Sequence, residues 1–545
     1  ISGCRITGIS NPMSCWLEPE TVAVPSALLE AVGGHPLVAH TLLRRGIDSV
    51  GAARAFLDPA AYSHSDPTDL PDLALAAERL LQAVDQGQRI AVWGDFDADG
   101  QTSNAVLLAA LRSLGADVVF HIPARQQGHG LHREGMERLA ASGTQLILTC
   151  DTGVTAHDAV AHANALGMEV IITDHHVLDK HLPPALAVVN PLRLPASHPM
   201  ATLPGVGVAY EVALALNPVQ AEHSLDLVAL GTVADVATLR GDTRYLVQRG
   251  LDSLRRTERP GLQAIYEAAN LKPEGITEEQ IGFLLGPRLN ALGRLSDATR
   301  GVELLTTEDQ TRARILASEV QGLNARRQWL TKQVTDAALG QIKREPALLN
   351  NYSALVLSQA TWPPGIIGIV AGRLAERFGK PAVLISAPAE QLARASGRSV
   401  PGTDLIASLA DCAPLLESYG GHPGAAGFSI QPERIPQFRE ALSRAVASKT
   451  VDLSPSVLAL DAFVELGDLN LEFVREIHRL APFGPGNPPL TLAIRNLRVL
   501  GEATIGRTGE HRRVVVEDAQ GRTQTVYWWQ SMDQAVPRGR FDLAV

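Results

Sequence analysis

Cysteine is scarce: four of 545 residues. Cys4, Cys15, Cys150 and Cys412 form no CxxC pair, which excludes a disulfide framework and a Cys-rich zinc site and fits buried or incidental thiols in a reducing cytosol. No apolar run approaches the roughly 18 residues that a membrane-spanning helix needs. Residues 1–14 lack the apolar stretch of about 7–15 residues that defines a secretory signal, so a cytoplasmic location is expected. The chain opens without an initiator Met; Met13 is a candidate start, with the preceding residues read as upstream sequence. Internal repeats and low-complexity segments are absent. So is an excess of positive charge: the formal net charge is −10, which taken alone argues against nucleic-acid binding. The average conceals local structure. Residues 240–259 hold Arg240, Arg244, Arg249, Arg255, Arg256 and Arg259 against Asp242, Asp252 and Glu258, either a solvated charged surface or part of a basic channel on an acidic body.

At 45% hydrophobic and 19% charged residues the composition is that of an ordinary globular chain, too long for one hydrophobic core. Residues 15–70 read as short helices punctuated by Pro and Asp. From about residue 75, apolar strand-like runs alternate with helical patterns: RIAVWG, ADVVFHIP, QLILTC and MEVIIT are separated by segments of helical period. That alternation predicts a doubly wound parallel sheet. Residues 275–345 read as a helical connector. A second α/β pattern starts near 352 (SALVLSQ, IIGIVAGRLAERFG, PAVLISA) and runs to about 448. From 455, short alternating runs with Gly and Pro turns suggest a small β-barrel, which the strand-like FDLAV could close. The expected domains are a cap or tag-like segment 1–74, a catalytic domain 75–270, the connector 271–345, a smaller α/β domain 346–450 and an OB-like barrel 455–545.

In doubly wound sheets, ligands bind outside the carboxyl ends of the strands. Asp95, Asp97 and Asp99 follow RIAVWG; Asp151 follows QLILTC; Asp174, His175 and His176 follow MEVIIT; Asp235 follows the apolar run LDLVALGTVA. A single Asp after a strand is ordinarily a helix cap or turn former. Three carboxylates at alternate positions in DFDADG are different: they repel unless a cation neutralises them, and Gly100 lets the backbone turn beside them. An oxygen-rich set with one or two imidazoles suits Mn2+ or Mg2+ better than structural zinc. Two such ions activate water for in-line attack on phosphorus.

DFDADG, CDTG, TDHH and GTVAD resemble the four motifs of the DHH phosphoesterase superfamily. SGRS at 396–399 and GGHPGAAGF at 420–428 resemble its partner DHHA1 domain. The long connector and terminal barrel, with IPAR, GPRLNALGR and PFGPGNPPL, are similar to the RecJ family of single-strand-specific 5′→3′ exonucleases. The resemblance implies two Mn2+ or Mg2+ ions, with Asp97 and Asp151 at the first and Asp99, Asp151, His175 and Asp235 at the second, Asp151 bridging. It implies that His176 contacts the scissile phosphate or steadies the leaving oxygen, while Asp174 orients the adjacent metal-bound imidazole. One departure stands out. Some superfamily members carry a His four residues before the first motif Asp; here it is Trp93, which leaves fewer ligands, with Asp95 and His129 as candidates to compensate.

The resemblance sets SGRS and the Gly-rich segment opposite the metals, with Gly-rich backbone as an anion nest and His422 on the phosphate near the scissile bond. A 5′-end exonuclease needs an end pocket, and Arg forks with hydroxyl donors suit a terminal phosphate; Arg125, Ser396 and Arg398 are the candidates. Arg288, Asn290 and Arg294 are candidates to line the strand's path, with Arg326 and Arg327 beyond them. Arg507, Arg512, Arg513 and Arg522 interleave with Tyr527, Trp528 and Trp529, which suits single-strand stacking or barrel core; Tyr527 and Trp528 are the stacking candidates. The implied activity is release of 5′-mononucleotides from single-stranded DNA in recombination and repair, by a monomer partnered by a helicase and a single-strand-binding protein. Two alternatives stand beside it: a DHH phosphohydrolase of short oligoribonucleotides or cyclic dinucleotides, and a non-catalytic replication scaffold.

Overall fold

The apolar runs between residues 90 and 189 pair as one sheet. In the computed structural model, which describes residues 16–125, 128, 130–389, 391–450, 457–506, 509–532 and 534–545, its strands lie in the order Val118–His121, Ile90–Trp93, Leu146–Cys150, Glu169–Thr173, Ala187–Val189. Every pairing is parallel. The three central strands are almost wholly buried, as a parallel sheet covered on both faces requires. Helices Ala98–Ser113, Gly205–Leu216 and Leu225–Ala234 contribute Val106, Val206 and Leu230 to the core on one face. Helices Arg133–Ala141 and His157–Ala165 contribute Met136 and Val160 on the other. From Ile90–Trp93 the chain first visits one neighbouring strand, then crosses to the other side. The crevice between the ends of Ile90–Trp93 and Leu146–Cys150 is therefore the topological switch point, where such sheets bind ligands.

Two sequence expectations change here. LDLVALGTVA is the helix Leu225–Ala234, not a strand, and Asp235 is its C-cap. Its residues from Leu225 to Thr232 are all buried, so the run is apolar on every side and its periodicity carries no information about helix or strand. Gly100 lies inside the helix Ala98–Ser113 rather than at a turn. It must be glycine because a Cβ there would collide with the Asp95 backbone.

Helices Gly286–Leu295 and Thr299–Thr306 lead into the 35-residue helix Gln310–Arg344, about 50 Å long, which joins the first sheet to a second. That second sheet is ordered Leu416–His422, Ala425–Ile430, Ala393–Arg398, Ala382–Ser386, Leu355–Gln359. Only its last two strands are parallel. GGHPGAAGF is the tip and flanks of the hairpin Leu416–His422/Ala425–Ile430. Most of its backbone N–H groups face a ladder partner, so an anion nest does not form along it.

In the C-terminal unit the long strand Leu492–Ile505 pairs with His511–Glu517, which pairs in turn with Thr523–Trp528, while Arg540–Ala544 adds on the other side of Leu492–Ile505. Among the described residues Arg540–Ala544 and Thr523–Trp528 are not paired. The sheet is a curled half-barrel, and FDLAV does not close it. Trp16–Leu17 pairs with Leu458–Ala459, and Leu28, Val38 and Leu42 from the first helices share a core with Leu480, Phe483 and Leu490. The N-terminal segment is thus built onto the C-terminal unit.

The arginines of 240–259 are largely committed to the fold. The Arg244 guanidinium donates to the carbonyls of Phe56, Leu480, Ala481 and Pro482. Arg249 pairs with Glu222, Arg255 with Asp252 and Arg259 with Asp226. The stretch does not form a basic channel.

Candidate active site

The switch-point crevice gathers side chains from four separate elements. Asp97 caps the helix Ala98–Ser113, its carboxylate accepting from the Gly100 N–H at 3.1 Å. Asp99, buried in the first turn, accepts from Gly205 N–H at 2.8 Å and Val206 N–H at 2.7 Å, the start of the helix Gly205–Leu216. Asp151 follows its strand with φ of 60°, left-handed backbone that is uncommon for a residue other than glycine. Residue Val236, next to Asp235, has φ of 63°, rarer still for a β-branched residue and typical of backbone strain held at functional sites.

Three triplets bring their donor atoms within 4.8 Å of one another: Asp95, Asp97 and Asp151; Asp99, His175 and Asp235; Asp151, His175 and His176. His175 Nε2 lies 3.0 Å from Asp151 Oδ1 and 3.9 Å from Asp99 Oδ2. The first two triplets therefore adjoin through Asp151. Asp95 joins Asp97 and Asp151, as one of the two residues expected to compensate for Trp93; His129, the other, lies outside the described residues. Trp93 itself is fully buried, in the core of the opposite sheet face with Met136 and Leu139, its ring 4.3 Å from His121 and 5.1 Å from His132.

The electrostatics are those of a site short of positive charge. Burial, then the charges of Asp235 and Asp97, push the Asp99 carboxyl well above its usual range. Burial, then Asp99, Asp97 and Asp95, do the same to Asp151, and burial with Asp97 lifts Asp235 to about 7. Burial, then His176, lowers His175 to about 4, which leaves its imidazole neutral and able to act as a ligand. Asp151 Oδ1 is a buried carboxylate oxygen with no hydrogen-bond partner. Bound cations would satisfy that oxygen and offset the mutual repulsion of the carboxylates, and this donor set, mostly carboxylate oxygen with one imidazole, fits Mn2+ or Mg2+.

Asp174 does not orient His175, as the resemblance implied. Its Oδ1 accepts from the His176 ring at 2.7 Å and from the backbone N–H of both His175 and His176; its Oδ2 accepts from Val154 N–H. Motif order put Asp174 beside both imidazoles, and only the turn decides which ring reaches it. The hydrogen bond to Asp174 holds His176 protonated, raised to about 9 against the cost of burial. Burial raises Asp174, but the bonds from His176 and Val154 outweigh it and leave the carboxyl below its usual range.

Beside Asp97, three guanidinium groups converge. Burial, with Arg125, Arg327 and Arg398 nearby, lowers Arg294 to about 10. Burial lowers Arg125 too, with Asp95, Asp97 and Arg398 close. Arg398 donates to Ser396 Oγ at 3.2 Å. Arg125 is fixed by the Gly293 carbonyl at 2.8 Å and by the Phe96 ring, 4.1 Å below it; Arg294 is fixed by the Gly365 carbonyl at 3.2 Å. Among the described residues none of the three forms an ion pair. The end-pocket candidates Arg125, Ser396 and Arg398 are brought together, and Arg294 joins them.

Other candidates are placed differently. Arg288 is buried and committed to Gln321 Oε1 and the Leu284 carbonyl. Asn290 Oδ1 accepts from Ala98 N–H, bracing the first motif instead of lining a strand path. His422 is exposed at the hairpin tip, its Nδ1 accepting from Gly424 N–H at 3.3 Å; among the described residues no contact joins it to the carboxylates. Trp528 is 1% exposed in the core of the curled sheet, so it cannot stack on a strand. The pair left accessible is Tyr527 and Trp529, stacked at 6.1 Å. Trp528 and Trp529 alternate faces, and sequence alone does not say which face is inner. Arg507 lies outside the described residues. Sequence reasoning missed Gly205, where a Cβ would lie 2.6 Å from Asp151 Cβ; PGVG after an apolar run was the only signal.

Residues 89–232 match the DHH family, N-terminal domain; residues 351–448 match the DHHA1 domain; residues 460–545 match the RecJ OB domain. The single-stranded-DNA-specific exonuclease RecJ of Salmonella typhimurium is 36% identical, over 82% of this chain and 81% of its own length. The chain belongs to the RecJ family. RecJ of Bacillus subtilis is also 36% identical over 92% of the chain, which spans 64% of that relative's length. The crystal structure of RecJ from Thermus thermophilus in complex with Mn2+ superposes with a TM-score of 0.79 at 29% identity, covering 96% of this chain and 80% of that one. A complex of the same RecJ with Mg2+ gives 0.75. Membership in the RecJ family accords with the three-part architecture. No helix among the described residues is long and apolar enough to cross a membrane.

Proposed function

We propose that the chain is a Mn2+- or Mg2+-dependent exonuclease that digests single-stranded DNA from its 5′ end and releases 5′-mononucleotides. The observation that carries this reading is the adjacency of two ligand triplets through Asp151, beside an arginine pocket that is free of ion pairs among the described residues. Asp95, Asp97 and Asp151 would hold one ion; Asp99, Asp151, His175 and Asp235 the other. When bound, the ions supply activation of water and neutralisation of charge on the phosphate. The protein's own part is positional. Arg125, Arg294, Arg398 and Ser396 grip the 5′-phosphate and set one nucleotide across the metal centre. Water adds to phosphorus and gives up one proton to solvent, the P–O3′ bond breaks, and the departing 3′ oxygen takes its proton from the His176 imidazolium that Asp174 maintains and that solvent reprotonates. Asp174 is thus a positioning residue.

The Mn2+- and Mg2+-bound relative and the single-stranded-DNA-specific exonucleases of the family support the substrate and cofactor assignment. The stacked Tyr527 and Trp529 on the C-terminal sheet suit a sequence-indifferent strand contact. A path bounded by both α/β units would admit one strand and exclude duplex, and repair or recombination would then need a helicase and a single-strand-binding protein as partners. The test is digestion of a 3′-labelled oligonucleotide with Mn2+. Stepwise loss of single strand from a 5′-phosphorylated end, slowed about tenfold or more in Arg398→Ala, supports the proposal. Equal rates on blunt duplex, or indifference to the 5′-phosphate, would overturn it.

A further inference from the structure

A cavity of about 790 Å3 lies where the N-terminal helices, the helix Gly241–Arg256 and the C-terminal unit meet. Its volume falls in the range of small-molecule sites, about 300–1,000 Å3. Arg44, Arg45 and Arg240 line it, against one carboxylate, Asp461, which is engaged with Thr491 N–H at 2.8 Å. Arg240 is exposed, and among the described residues its side chain makes no hydrogen bond or ion pair. Of the 240–259 stretch, Arg240 and Arg256 have neither a carboxylate partner nor a buried carbonyl cage among the described residues; Arg256 donates to the Asp252 carbonyl on its own helix, whereas Arg240 faces this cavity. Arg45 is fixed in place by Asn487 and the Pro488 carbonyl. Tyr62 and Tyr245 stack on each other at 5.1 Å and form an aromatic wall. Thr41, also lining the cavity, is 1% exposed, yet its hydroxyl has no hydrogen-bond partner. A buried hydroxyl in that state costs free energy that a ligand oxygen would recover.

We infer that this cavity binds a nucleotide, with its phosphate on Arg44, Arg45 and Arg240, its base against the tyrosines and a ligand oxygen on Thr41. Arginine forks match phosphate geometry, and tyrosine faces accept any base. The lining residues are distinct from the metal triplets and from the Arg125–Arg294–Arg398 pocket. The choice of a deoxynucleotide rests on the proposed exonuclease function; the phosphate-plus-aromatic chemistry does not. The occupant is either a free nucleotide or one nucleotide of a bound strand.

The experiment is calorimetric titration of the full chain with dAMP, and separately with 5′-phosphorylated dT20, in EDTA so that no hydrolysis occurs. Saturable dAMP binding weakened at least about tenfold in R44Q/R240Q, and to a lesser degree in T41V, supports a free-nucleotide site. Binding of dT20 alone, weakened in the same variants, supports a site for the strand. Both variants should retain wild-type hydrolysis of the dinucleotide pdTpdT with Mn2+, since neither touches the metal centre. Unchanged titrations in both variants, or no binding of either ligand, overturn the inference. Loss of wild-type nuclease activity with dAMP binding intact would sink the exonuclease proposal and leave the cavity standing.

Discussion

Asp99 carries two loads: it is a candidate ligand, and it accepts the first two N–H groups of a helix that begins 106 residues later. Gly205 supplies one of those N–H groups and leaves room for Asp151, since a Cβ would sit 2.7 Å from Asp151 Oδ1. Gly205→Ala should therefore displace the shared carboxylate while leaving the scaffold folded. The expected outcome is a loss of about 10–100-fold in nuclease rate, with melting temperature near wild type; unchanged activity would show that Asp151 need not be held where it stands. The carboxylates themselves were legible in the sequence because strand ends followed by acidic residues have few structural uses in such number. Gly205 was not, because its constraint comes from a residue on another element. The pairing of Asp174 with His176 instead of His175 was hidden for a similar reason: both rings follow Asp174, and one turn's geometry chooses between them.

At the scale of elements, Arg244 ties three segments together by donating to backbone carbonyls of Phe56, Leu480, Ala481 and Pro482. Arg244→Met keeps bulk but strands buried acceptors, each costing about 1–3 kcal/mol; calorimetric unfolding should show a loss of roughly 3 kcal/mol, and no loss would mean that water replaces the guanidinium. A second tie is the buried pair His64–Glu211, 3.0 Å apart, beneath the N-terminal segment. Burial opposes the His64 charge, but the Glu211 hydrogen bond and the charges of Glu211, Asp242 and Glu222 outweigh it and raise His64. Burial raises Glu211, only partly countered by His64. Both groups hold protons more tightly when folded. Their contribution is greatest on the acid side and is lost as pH rises through the folded values. The melting temperature should fall as pH rises past the ordinary histidine range of about 6.5, with a shallower fall in His64→Gln; an identical slope in the variant would remove the pair from the account. The parallel strands of the first sheet, the connector and the second α/β unit were readable from periodicity, but the order of the strands was not. The helix before Asp235 and the inner face of Trp528 were not, because a wholly buried run and a two-faced sheet give no polar side to read.

Across the whole molecule, the net charge of −10 coexists with a site proposed to hold a polyanion. Charge is partitioned: Arg249, Arg255 and Arg259 are neutralised by carboxylates, whereas Arg125, Arg294 and Arg398 are kept together without ion pairs among the described residues. Their repulsion is sustained by fixed carbonyls and by the fold around them, which leaves a phosphate as the natural counter-charge. The carboxylate cluster is the mirror image, with like charges kept together that bound cations would neutralise. The half-barrel shares a core with the N-terminal helices through Leu37, Leu492 and Val545, so the N-terminal helices brace the C-terminal unit. Crystals grown with Mn2+ and measured for anomalous scattering offer the most direct test of this division of charge. The expected result is two peaks, one among Asp95, Asp97 and Asp151 and one among Asp99, His175 and Asp235, with Asp151 touching both; a single peak, or ions bound away from Asp151, would contradict the account.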